Sequence, residues 1–228
     1  MARLRDLKVV LTLDSHRLLR YTAVIVNVGP GPFEVRGARP DTSVPEMSVT
    51  QRVYDDSPLG YRDVSTAASM FFAGDGHNHW HVRDLETAEV RALGGTGPVR
   101  ALAKHGFCFF DNTKFDLTLA GAPGSPRYQG CGASGDTSVT TGLSVGWGDT
   151  YLWNLGLQYV DITGLPAGRY RLTTSVNTSL GFAESNTSDG TTWVDFSLFG
   201  NTILVLGYGP APTPSQPAPP PPPPLPWP

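Results

Sequence analysis

Glycine, proline, asparagine and aspartate interrupt this chain so often that its apolar residues come only in short runs, and that spacing favours strands over helices. Runs rich in Val, Leu, Thr and aromatic side chains fall at 7–13, 19–27, 46–54, 78–91, 157–163, 169–177, 192–199 and 202–207. None of them reads as a long helix. Leu19 to Asn27 partly alternates polar and apolar residues and leads into Gly29-Pro30-Gly31-Pro32, a turn signal. Arg169-Tyr170-Arg171-Leu172-Thr173 alternates as well, entered through the turn Leu165-Pro166-Ala167-Gly168. Many short strands without intervening helices predict an all-β fold, an antiparallel β-sandwich with immunoglobulin-like elements. One such domain is expected over residues 1–208, long enough to bury a sizeable core without metal or disulfide support.

Between the runs lie glycine-rich stretches, 121–149 above all, which are too long for hairpins and read as mobile, site-forming loops. Of 21 prolines, 12 fall within Pro210 to Pro228. Residues 209–228 are therefore expected to be a disordered proline-rich tail or polyproline II spacer, with contact to a proline-recognising partner as the sharper reading.

Charge excludes several partners. Seventeen Lys and Arg against 20 Asp and Glu give a net charge of −3 without a long single-sign run, so no nucleic-acid surface is expected. No apolar stretch approaches the roughly 18–20 residues of a membrane span, and a soluble protein is expected. Arg3 and Arg5 look like the start of a signal peptide, but Leu7 to Leu13 is interrupted by Lys8 and stopped by Asp14, so it reads better as a strand. Cys108 and Cys131 would stabilise the fold by roughly 3 kcal/mol if joined. The alternative is two buried thiols. Secretion or a cell-envelope location is expected, with the cytoplasm as the other choice.

Four of the five histidines cluster between His77 and His105, three of them in Asp75-Gly76-His77-Asn78-His79-Trp80-His81. On a strand, residues at i, i+2 and i+4 share a face, so His77, His79 and His81 would project together. Three imidazoles suit zinc, copper or iron, and three protein ligands leave a coordination position open for water, dioxygen or substrate. His105 and His16 read as ordinary polar residues.

Together with Lys104-His105-Gly106-Phe107-Cys108, Gly142 to Tyr151 and Gln158-Tyr159-Val160-Asp161-Ile162-Thr163, the histidine run resembles the catalytic domain of the lysyl oxidase family, with the motifs in the family's order over about 46 to 200. The resemblance implies copper on His77, His79 and His81. It also implies a lysine tyrosylquinone made from Lys104, four residues before Cys108, and Tyr151, which ends Asp149-Thr150-Tyr151. Such an enzyme takes a primary amine, a lysyl side chain or a small amine, together with dioxygen, and releases aldehyde, ammonia and hydrogen peroxide. Asp149 is the expected base for the α-proton, because it alternates onto the face of Tyr151. Asp84, Glu86 and Asp111 are the other candidates.

The family likeness extends to a calcium site on Asp6, Glu184, Asn186 and Asp189, although Asn186 stands where the family has an acid and Asp189-Gly190 where it has two asparagines. The chain also differs from animal members in holding only two cysteines and in the 46 residues between Lys104 and Tyr151. Two other readings keep less of the likeness. One is a three-histidine oxygenase or zinc hydrolase without a quinone, and the other is a secreted binding module with structural metal.

Overall fold

A computed structural model describes residues 1–55, 60–74, 77–95 and 97–210, so the readings of the proline run from Ala211 onward lie outside the described residues. Strands β1 (Arg5–Leu11), β2 (Arg17–Val26), β3 (Phe33–Ala38), β4 (Glu46–Tyr54) and β5 (Tyr61–Ala73) come first. They are followed by β6 (His79–Arg83), β7 (Glu86–Ala92), β8 (Arg100–Ala101), β9 (Gly106–Phe107) and β10 (Thr113–Lys114). The chain continues with β11 (Ser138–Leu143), β12 (Trp147–Tyr151), β13 (Tyr159–Asp161), β14 (Gly168–Val176), β15 (Thr191–Phe199) and β16 (Thr202–Tyr208). Every pairing among them is antiparallel, and no helix forms among the described residues. The all-β expectation therefore matches the chain.

Three sheets enclose one apolar core. The first has the order β1-β2-β12-β10 with β13 also on β2, the second β11-β3-β4-β5-β6-β9, and the third β16-β15-β14-β7-β8. Strand β2 is central, with Leu18 to Ile25 buried almost without break, because partners lie along it and sheets cover it. Strands β14 and β15 alternate instead, sending Tyr170 and Leu172, and Val194, Phe196 and Leu198, inward. Each such side chain contributes roughly 1.5–3 kcal/mol on burial. Leu19, Tyr21, Phe107, Tyr151, Leu172 and Phe196 meet in the shared core, so an atom placed on β12 or β7 is enclosed by more than one sheet.

The structure revises the sequence reading in two places. The single run 78–91 is two strands, parted where Asp84 takes a left-handed φ of 51°, a conformation aspartate tolerates better than most residues. The stretch 121–149 carries β11 and part of β12 rather than being loop throughout. Its glycines mark close approach: a Cβ at Gly142 would collide with the Phe33 carbonyl oxygen, and one at Gly148 would lie 2.8 Å from that of Ile25. The loop before β11 is held too, because Arg39 is buried and donates to the carbonyls of Ser134, Asp136 and Val44. A disulfide joins Cys108 to Cys131 across a Cα–Cα distance of 5.8 Å.

Candidate metal centre and the buried lysine

Trp80 and Val82 point from β6 into the core, and the Trp80 indole donates to the Ala133 carbonyl at 2.8 Å. Strand alternation then turns His79 and His81 to the opposite face. His77 precedes the strand, and Asn78 between them adopts a left-handed φ of 48°. A turn, rather than strand pleating, therefore delivers His77 to the group. The ring centres lie 5.6 Å apart for His77 and His79, 5.3 Å for His77 and His81, and 4.8 Å for His79 and His81.

One ligand atom from each histidine falls within 4.8 Å of the others. Nitrogens about 2 Å from one ion are at most about 4 Å apart, so small side-chain rotations suffice to close the set. The donor set fits copper, and imidazole alone also suits zinc or iron. Gly106 on β9 lies against this group, since a Cβ there would sit 2.7 Å from His81 Nδ1 and 2.5 Å from the tip of Phe71. Gly156, in the segment after β12, is the glycine whose Cβ would meet His77 Nε2, at 3.9 Å.

Lys104 is buried, with 4% of its surface exposed. Backbone bonds from Leu102 to Ala88 and from Ala103 to Tyr159, at 2.8 and 2.9 Å, carry the chain inward to it between β7 and β13. Its Nζ stands 5.3 Å from the centre of the Phe107 ring and 5.9 Å from that of Tyr151. The two rings meet edge to face at 5.1 Å. Tyr151 is also buried, and its hydroxyl donates to the Cys108 carbonyl. The segment from Lys104 to Cys108 thus touches both groups: Gly106 backs the histidines while Lys104, Phe107 and Cys108 surround the phenol.

Asp149 shares the inward face of β12 with Tyr151. The Asn112 amide donates to its Oδ1, whereas Oδ2 is buried without a hydrogen-bond partner. Burial pushes its carboxyl up to about 7, against the opposing pull of Tyr151 and Asn112. The Tyr151 phenol is held well above its usual value, first by burial and then by the Asp149 charge. Glu86, at the start of β7, is more isolated still, with neither carboxylate oxygen paired. Burial raises it to about 8, opposed by the charges of the Met1 amine and Lys104. Tyr21 faces Glu86 from β2, and its phenol is raised well above its usual value, first by burial and then by the Glu86 charge.

The other two acids of the sequence reading sit elsewhere. Asp84 pairs with the exposed His105 at 2.8 Å. Asp111 accepts from Ser144 N and Oγ and from the amides of Arg127 and Tyr128, so its oxygens are occupied in holding the loop. Gln158, fully buried with its amide unpaired, completes the polar interior and was not singled out in the sequence. The signal for Glu86 was present: it occupies the inward phase of β7 with Ala88 and Val90, where an apolar residue is the ordinary choice.

The lysyl oxidase family model matches residues 72–207. This chain belongs to the lysyl oxidase family. The match begins on β5 and ends on β16, so the three histidines, Lys104, Asp149, Tyr151 and both cysteines of this lysyl oxidase domain fall inside it. No curated protein matches the chain. At the level of the family, the chain is an amine oxidase.

The four residues expected to form a calcium site are placed in two surroundings. Glu184, Asn186 and Asp189 line a cavity of about 220 Å³ with Asn27, Tyr54 and Phe182. Asn186 donates to Asp189 at 3.0 Å, and the Asn177 amide donates to Glu184. Asp6 is not among the lining residues and accepts from Thr22 Oγ1 at 2.8 Å. No helix among the described residues is long and apolar enough to cross a membrane.

Proposed function

We propose that this chain is a copper-dependent oxidase of primary amines, and that Lys104 and Tyr151 are the pair from which it makes a lysine tyrosylquinone. The observation that carries this reading is the 5.9 Å between Lys104 Nζ and the Tyr151 ring centre inside a buried, polar-lined interior. Lysine has a flexible four-carbon stem, so a change of rotamer is enough to bring the amine to the ring. His77, His79 and His81 would hold the copper. Metal and quinone together would supply the two-electron oxidation of an amine to an aldehyde, with dioxygen as the final acceptor.

The chain's own residues do the rest. Lys104 would supply the nucleophilic amine that adds to the oxidised ring. The Cys108 carbonyl and the Phe107 ring orient the phenol. Asp149, with Oδ2 unpaired and its carboxyl near 7, is the group suited to take the substrate's α-proton at neutral pH. The substrate is a lysyl side chain or a small amine. The disulfide supports an oxidising compartment, secreted or in the cell envelope.

The test is aerobic incubation with copper, reaction with phenylhydrazine, and mass spectrometry of the tryptic peptides. A peptide pair joined through Lys104 and Tyr151 is the expected product, and His79→Ala should lose both metal and cross-link. Copper bound to unmodified peptides would instead favour a three-histidine metalloprotein without a quinone.

A further inference from the structure

We propose that Phe71 is a positioning residue for the metal ligand His81, and that the ion pair of Arg83 with Glu46 holds Phe71 in that role. This rests on the reading of the three histidines as copper ligands given above. Strands β4, β5 and β6 lie side by side in the second sheet, where Glu46 pairs with Phe71 and Phe71 with His81. Arg83 stands two residues beyond His81 and therefore on the same face of β6. Opposed and diagonal residues on one face are those whose side chains meet. Here each meeting is made. Arg83 Nη2 donates to Glu46 Oε1 at 2.7 Å, and the guanidinium carbon lies 4.5 Å from the centre of the Phe71 ring, within cation–π range. The Phe71 ring in turn meets the His81 ring at 87°, with centres 5.8 Å apart.

Burial separates His81 from the other two ligands. It projects from the face of β6 turned away from Trp80 and Val82, yet only 2% of its surface is exposed, whereas His77 and His79 keep intermediate exposure. Phe71 covers it from the neighbouring strand, and Gly106 closes the corner between the two rings, since a Cβ there would touch both. An imidazole serves a metal only in the orientation its surroundings allow, and an apolar wall beside it controls the access of water. Phe71 supplies both. Arg83 and Glu46 are largely solvent-exposed, so their pair adds little to stability. Its consequence is local: it keeps the guanidinium over the ring that packs on His81.

Copper affinity of the full chain, read by competition with a chelator, tests the row. Phe71→Leu should bind copper about tenfold more weakly or worse, the range in which partners of metal ligands act. Phe196→Leu, the same exchange in the third sheet, should lose stability in urea unfolding and keep wild-type affinity. Wild-type affinity in Phe71→Leu, or a comparable loss in Phe196→Leu, overturns the proposal. Arg83→Met should weaken copper binding in the wild-type background and add nothing in Phe71→Leu, because it acts through that ring. An equal further loss in both backgrounds overturns the part given to Arg83. In metal-free protein with ¹³C-labelled histidine, assigned through His81→Gln, Phe71→Leu should shift the His81 ring-proton resonances. Unmoved resonances overturn the packing. Wild-type protein that binds no copper sinks the copper reading, while the resonances still decide whether Phe71 holds the His81 ring.

Discussion

The hydroxyl of Tyr151 donates to the backbone carbonyl of Cys108, so the phenol is held by the residue whose side chain closes the disulfide to Cys131. The disulfide therefore does more than close a loop, because it fixes the acceptor that orients the ring. Replacing both cysteines by serine should cost roughly 3 kcal/mol in urea unfolding. The Lys104–Tyr151 cross-link yield should fall as well. A variant less stable than wild type but cross-linking at the wild-type rate would show that the Cys108 carbonyl keeps its place without the bond.

Lys104 offers a test in which chemistry and stability part company. Lys104→Met fills similar volume in the packed interior and removes the amine, so stability should change by less than about 1.5 kcal/mol. Copper content should stay at the wild-type level, and phenylhydrazine-reactive absorbance should vanish. Absorbance that survives in this variant would place the reactive carbonyl elsewhere.

Asp149 makes a prediction with a definite sign in pH. Its folded carboxyl is raised from 3.8 to about 7 by burial. The folded state therefore binds this proton more tightly than the unfolded chain does. The stability it contributes is fully present below about pH 4 and is lost as pH rises through about 7. Asp149→Asn cannot ionise, so its unfolding free energy should overtake that of wild type across this window, by on the order of 4 kcal/mol at pH 8. Amine oxidation should move the other way. Wild-type turnover should rise with pH with a midpoint near 7, and the variant should lose roughly a hundredfold or more.

Gly106 packs against the histidine group without joining it. A methyl at this position would press on His81 Nδ1 and on Phe71, so Gly106→Ala should shift the His81 ring. Copper affinity, measured by competition with a chelator, should fall at least tenfold, while His77 and His79 are untouched. An unchanged affinity would mean that β9 yields more readily than the ring.

The fold class and the candidates for the site were legible in the chain itself. Frequent turn residues ruled out long helices, and the histidine spacing, Lys104 and Cys108, and Asp149 two places before Tyr151 are local patterns. Strands β3, β11 and β12 were harder to read because Gly37, Gly142 and Gly148, which let backbones and side chains pack closely, have the same appearance in a sequence as turn residues. His77 joins its partners through a left-handed Asn78, which alternation alone does not predict.

What the linear order could not decide is who faces whom. Alternation with Tyr151 favoured Asp149, but Asp84, Glu86 and Asp111 stood beside it as rival acids near the motifs. Two sheets closing over β12 and β7 left Asp149 and Glu86 dry, while Asp111 was satisfied by amides and Asp84 went to the surface with His105. The physical reason is that side-chain type and spacing are local properties of the chain, whereas register between strands and removal from water are set by the packing of the whole core. A carboxylate's proton affinity follows those two surroundings far more than its place in the sequence.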